Sequence, residues 1–248
     1  MVLFLFYELP YFCINAEKLF VNLFIELKPM RIFFLGLISL FITSCVDIFD
    51  DITIHADGSG TYKYTINMSA SKVKINSILA LDSLDDHRVP KIPEIKEKIE
   101  HYRALLEEKD GISNVKVVSN FDEFLFKFSC DFESVSKLQE AIREIVKEES
   151  KDKTNPALNE SWISWSENAL FRIIPNFQSI IAKMKPEDQE KLKEGKYNAV
   201  SRFDKPVLKC DNPQAQISPT KLAVMVRTSS FAAGTTPTVL KTNIQVDY

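Results

Sequence analysis

Side chains able to do chemistry are few in this chain of 248 residues, and they are scattered. The three histidines, His55, His87 and His101, stand apart. None belongs to an HExxH, and none lies within four residues of another His or Cys, so the spacing of a zinc site is missing. His101, beside an apolar helical stripe, reads as a surface or boundary residue. Serine nucleophiles set in GxSxG, or in SxxK with a later SDN or KTG, do not occur. The acidic pairs Asp50-Asp51 and Asp85-Asp86 are neighbours in sequence. Glycosidase carboxylates instead face each other across a substrate, about 5–9.5 Å apart. Asp85-Asp86-His87-Arg88 reads as a solvated connection. Six glycines are too few and wrongly spaced for a phosphate loop. After Gly58 and Gly60, the third glycine of GxGxxG is replaced by Lys63, and GxxxxGK[ST] is absent. Trp162 and Trp165, three apart on a strand, point to opposite faces and suit core packing better than a ligand platform. A net charge of −3, a pI near 5.8 and no basic tract argue against nucleic acid. No cofactor and no metal is expected.

The cysteines are more informative. Met30-Arg31 precedes the apolar run Ile32–Ile42, and Thr43-Ser44-Cys45 follows it. A short positive segment, an apolar stretch of about 11 residues and small residues before a cysteine have the layout of a secretory signal. Ile42-Thr43-Ser44-Cys45 resembles a bacterial lipobox, with Ile and Thr in place of the commoner Leu and Ala or Ser. The resemblance makes residues 30–44 a lipoprotein signal peptide and Cys45 the lipid-bearing first residue of the mature chain. The run is too short to span a bilayer, which takes about 20 residues. Residues 1–29 have the composition of translated AT-rich DNA and carry three glutamates, so Met30 is the expected start and 1–29 an upstream misannotation. Residues 45–51 follow as a lipidated tether. Their acidic cluster, Val46-Asp47-Ile48-Phe49-Asp50-Asp51, also resembles, loosely, the surface-export signal of Bacteroidetes lipoproteins. Cys130 and Cys210 are then the remaining thiols of the mature chain, in an exported setting that permits a disulfide. Alternation buries Cys130, but nothing in the sequence brings Cys210 to it. A bridge and two separate thiols both stay open.

The elements follow from periodicity. Ile52–His55 and Thr61–Met68 alternate around Asp57-Gly58-Ser59-Gly60, a β-hairpin signature. A short helix is expected over Ser71–Leu84. A longer one starts near Pro93, carries Ile95, Ile99, Tyr102 and Leu106 on one stripe, and stops at Asp110-Gly111. Val115–Val118 and Phe124–Phe132 form a second hairpin. Phe126 and Phe128 should be buried centrally against a helix, about Ser134–Glu148, bearing Leu138 and Ile142. After a polar loop at 149–160, strands are expected around Trp162 and Trp165. A broken helix follows over Phe177–Met184 and Pro186–Glu194. The last strands lie near Tyr197–Phe203, Val207–Cys210, Leu222–Thr228 and Thr238–Tyr248. Hairpin then helix occurs twice. The expected fold is α+β: a single domain over 52–248, its antiparallel sheet built from hairpins with helices on one face.

Three stretches together look like Bacteroidetes envelope lipoproteins, which are in turn loosely similar to LppM-type lipoproteins. They are Asp57-Gly58-Ser59-Gly60 before an alternating strand, Gly111-Ile112 before the Phe-rich strand, and Arg202-Phe203-Asp204-Lys205-Pro206-Val207. The likeness is diffuse over most of 46–248. It implies a cell-envelope α+β lipoprotein, palmitate-bearing and held to a membrane, the outer rather than the inner, facing periplasm or surface. Only Cys45 carries over as a functional residue. The leading expectation is a non-enzymatic domain that binds an apolar ligand or an envelope protein partner. An accessory subunit of an envelope complex comes next, and an unrecognised hydrolase last. A deep apolar pocket would favour the first, a flat exposed apolar patch the second, and convergent His and carboxylates in a cleft the third.

Overall fold

A computed structural model describes residues 46–84, 87–149 and 156–248. The lipobox, Cys45 and residues 1–44 lie outside the described residues, as do Asp85 and Asp86. Strand β1 (Asp47–Ile54) and β2 (Gly60–Asn67) form the first hairpin. Helix α1 (Lys72–Leu79) and the two-residue strands β3 (Ser83–Leu84) and β4 (His87–Arg88) lead to α2 (Ile92–Glu107). The second hairpin, β5 (Ile112–Asn120) and β6 (Leu125–Phe132), is followed by α3 (Val135–Glu149). Then come α4 (Pro156–Asn159), β7 (Ile163–Ser166), β8 (Ala169–Arg172), α5 (Gln178–Ile181) and α6 (Pro186–Glu194). The chain closes with β9 (Lys196–Phe203), β10 (Val207–Cys210), β11 (Gln216–Ile217), β12 (Ala223–Ser229), α7 (Ser230–Thr235) and β13 (Thr242–Val246).

The class is α+β with antiparallel-rich sheets, as the hairpin-and-helix pattern predicts. Seven strands lie in the order β11-β12-β9-β1-β2-β6-β5, which sets the two hairpins side by side through β2 and β6. One pair departs from the expectation: β9 lies parallel to β1. A parallel neighbour needs a crossover rather than a turn, and local periodicity carries no trace of it. A second sheet, β10-β13-β8-β7, gathers the C-terminal strands. Helices therefore cover only part of the inner face. α2 and α3 pack beside β5 and β6, while the four-stranded sheet covers β1 and β9: Trp165 of β7 stacks over Phe203 of β9, and Arg172 of β8 reaches Asp50 of β1. One apolar cluster joins all three parts, from Ile52 and Leu138 to Leu170 and Ile244.

Local chemistry fixes the boundaries. In the first turn, Ser59 donates both its N–H (3.0 Å) and its hydroxyl (2.7 Å) to Asp57, and Gly58 takes φ +83°. Gly60 is demanded by space, since a Cβ there would meet the Thr53 carbonyl oxygen at 1.9 Å. Gly111, at φ +72°, ends the approach from α2. The Ser134 hydroxyl accepts from the Lys137 N–H at the start of α3.

Three expectations need correction. The first strand starts at Asp47, not Ile52, so most of the expected tether 45–51 belongs to the sheet. Asp50 at a buried position hid the alternation of Ile48 with Ile52. Phe128 is buried, but Phe126 is only half-buried: it lies edge-to-face on Phe121, a half-buried residue of the hairpin turn, rather than in the middle of the core. The segment before β13 is a 3-10 turn, Pro237–Val239, and α7 was not foreseen.

Candidate functional site

Two constellations emerge from this packing, neither of them readable as a motif. The first is buried. Asp50 sits on the inner face of β1, the central strand, level with Tyr64 of β2 and beside Tyr197 of β9. Its carboxylate pairs with the Arg172 guanidinium at 2.5 Å and accepts from the Tyr197 hydroxyl at 2.5 Å. Arg172 also donates to the carbonyls of Val200 (3.0 Å) and Asp50 (3.2 Å). Every member is nearly closed to solvent: Asp50 is 6% exposed, Arg172 3% and Tyr197 2%. Burial opposes the Arg172 charge, yet the neighbouring Asp50 carboxylate holds its pKa above the ordinary value. Tyr62, Tyr64 and Tyr197 are pushed well above the ordinary phenol range, first by burial and then by the Asp50 charge. These groups neutralise one another and clamp the small sheet onto the large one.

The second constellation is exposed, where β1 ends and the first turn begins. His55 Nδ1 lies 2.6 Å from Asp204 Oδ2. The Tyr248 hydroxyl donates to the Ile54 carbonyl (2.9 Å) and accepts from the Asp204 N–H (3.2 Å). Trp165 lies over Gly58, stacks on Phe203 and meets Tyr248 edge-on. A histidine held by a carboxylate is the acid–base half of a hydrolytic triad. The neighbouring Ser59 hydroxyl, however, donates to Asp57 instead. The pairing of His55 with Asp204 spans 149 residues, so no spacing rule could have found it.

The residues singled out from the sequence are placed as follows. Cys130 is buried on β6 and Cys210 half-buried on β10, in different sheets, and both are free thiols. The bridge left open between them is not made. The Cys130 thiol is pushed up to about 12, by burial first and then by Asp131. Burial also raises that of Cys210. Trp162 is buried and Trp165 partly so, both within the core. His101 is exposed on α2. Arg88 pairs with Glu94 at 2.5 Å. Among the described residues, no group of three or more His, Cys, Asp or Glu is placed to hold a metal. Among them, too, no helix is long and apolar enough to cross a membrane.

No family model matches the chain, and no curated protein matches it. Among solved structures, the chain is similar to the folded domain of the Mycobacterium tuberculosis LppM protein. The identity is 12% and the TM-score 0.42, over 83% of this chain and 91% of that one.

Proposed function

We propose that this chain is a cell-envelope lipoprotein, anchored by acyl chains on Cys45, whose α+β domain acts as a non-enzymatic binding module for an apolar ligand or an envelope protein. The observation that carries this reading is the succession Met30-Arg31, Ile32–Ile42, Thr43-Ser44-Cys45, the layout of a lipoprotein signal. A diacylglyceryl group with an N-acyl chain suffices for stable anchoring, at about 0.8 kcal/mol for each buried CH₂. A non-enzymatic role is favoured because the Asp50–Arg172 pair is occupied with itself and the His55–Asp204 pair stands beside a serine that donates elsewhere.

The test is metabolic labelling with an alkyne fatty acid. Wild-type protein takes the label, and Cys45→Ala accumulates as an unlabelled precursor. Equal label on both variants refutes the anchor.

A further inference from the structure

One face of the seven-stranded sheet is buried under α2, α3 and the small sheet; the other is open along β1, β2, β6 and β5, while on β9 its Asn198 and Val200 are buried. Register places Asp47, Phe49, Asp51 and Thr53 of β1 on the open face. Across the strands, Phe49, Thr65, Lys127 and Val118 form one row, and Asp51, Lys63, Ser129 and Lys116 the next. Lys196, Arg202 and Arg227 lie on the same face of β9 and β12. Six exposed cations thus stand against three carboxylates, in a chain whose net charge is −3. Asp51 is already held by Arg202 at 2.9 Å, and Asp131 by Thr61 and Asn114. Lys63, Lys116 and Lys127, grouped around Ser129, make no ion pair among the described residues. Amid these polar rows two large apolar side chains are exposed, Phe49 at 37% and Val118 at 61%. They are three strands apart, about 14 Å at ~4.8 Å per strand.

The chain's path gives this face its partner. The residue after Cys45 is already fixed, since the Val46 carbonyl accepts the Lys196 N–H at 3.0 Å. From Cys45 to Phe49 an extended chain covers about 13 Å at ~3.3 Å per residue. An acyl anchor at Cys45 therefore holds the domain against the bilayer with almost no leash. We infer that the open sheet face, through Phe49, Val118 and the Lys63–Lys116–Lys127 cluster, docks flat on an anionic phospholipid surface. This orientation rests on the lipid-anchor reading above. The lysines meet the headgroup phosphates, whose field attracts juxtamembrane cations, and the two apolar side chains enter the interface. The four-stranded sheet then points away from the membrane.

The test uses full-length protein expressed with its signal, in vesicles of phosphatidylcholine alone or mixed with phosphatidylglycerol, each doped with a bromolipid that quenches tryptophan. Two variants carry the probe: Phe49→Trp on the open face, and Leu208→Trp on the small sheet, where Leu208 is 62% exposed. Quenching of Phe49→Trp but not Leu208→Trp is expected, stronger with phosphatidylglycerol, and lost when Lys63, Lys116 and Lys127 are all changed to Glu. If the triple variant fails to fold, the two lipid compositions still decide the matter with Phe49→Trp alone. Quenching absent from Phe49→Trp in phosphatidylglycerol vesicles, or equal in both probes, overturns the docking. Flotation of Cys45 and Cys45→Ala forms reports on the anchor separately: a protein that floats through Cys45 with Phe49→Trp unquenched is anchored but not docked.

Discussion

A carboxylate on the central strand of a sheet is a costly choice, and Asp50 shows what makes it tolerable. Its charge is matched by Arg172 at 2.5 Å and by the Tyr197 hydroxyl, all three buried. Removing one member of such a pair strands the other charge, which costs about 3–5 kcal/mol. Arg172→Met should lower the stability read from urea unfolding by that amount. Adding Asp50→Leu to it should recover part of the loss, because the stranded carboxylate goes too. A cost below about 1 kcal/mol for the single change would contradict the clamp. The thiols make a second prediction. Unfolded, unreduced protein should show free Cys130 and Cys210 to a thiol dye. In the native state Cys130, with its pKa raised to about 12, should react only as fast as the protein opens.

At the scale of elements, the second hairpin and α3 are the best test of the packing. Phe128→Ala should cost about 3–5 kcal/mol, as for other buried Phe, and Phe126→Ala distinctly less, because Phe126 is half-buried against Phe121. Equal losses in urea midpoint would mean that β6 sits differently against the helices. Gly60→Ala should cost about 1–3 kcal/mol, since its Cβ would collide with the Thr53 carbonyl and with Phe132. These elements were legible in the sequence because their signals are local. Period-two alternation marked β2 and β6, Asp57-Gly58-Ser59-Gly60 the first turn, and the Val135–Leu138–Ile142–Ile145 stripe helix α3. What stayed hidden is non-local. The parallel register of β9 on β1 and the meetings of Asp50 with Arg172 and His55 with Asp204 join residues more than 100 positions apart, and the separate C-terminal sheet pairs β13 with β8 about 70 positions away. No periodicity reports such contacts. The buried aspartate even disguised the start of β1 as tether.

For the molecule as a whole, the buried tyrosines predict the response to alkali. Tyr62, Tyr64 and Tyr197 have pKa values raised in the folded state, by burial first. Their stabilising effect is complete below the ordinary phenol pKa of about 10 and is lost as the pH rises above it. Tyrosinate absorbance should therefore appear in two steps, the later one coinciding with loss of circular dichroism. On the acid side Asp131 is held below the usual carboxylate range, by Asn114 and then Thr61. Its contribution is present above about pH 4 and fades as the pH falls through the depressed value, so Asp131→Asn should flatten the acid limb of the stability curve. Strand β1 starts at Asp47, two residues after Cys45, the residue proposed to carry the lipid. The most direct measurement is the mass of the N-terminal peptide of the mature protein taken from membranes. The account predicts a peptide beginning at Cys45 and carrying a diacylglyceryl group. A mature protein that retains residues before Cys45, or begins there with an unmodified thiol, would contradict it.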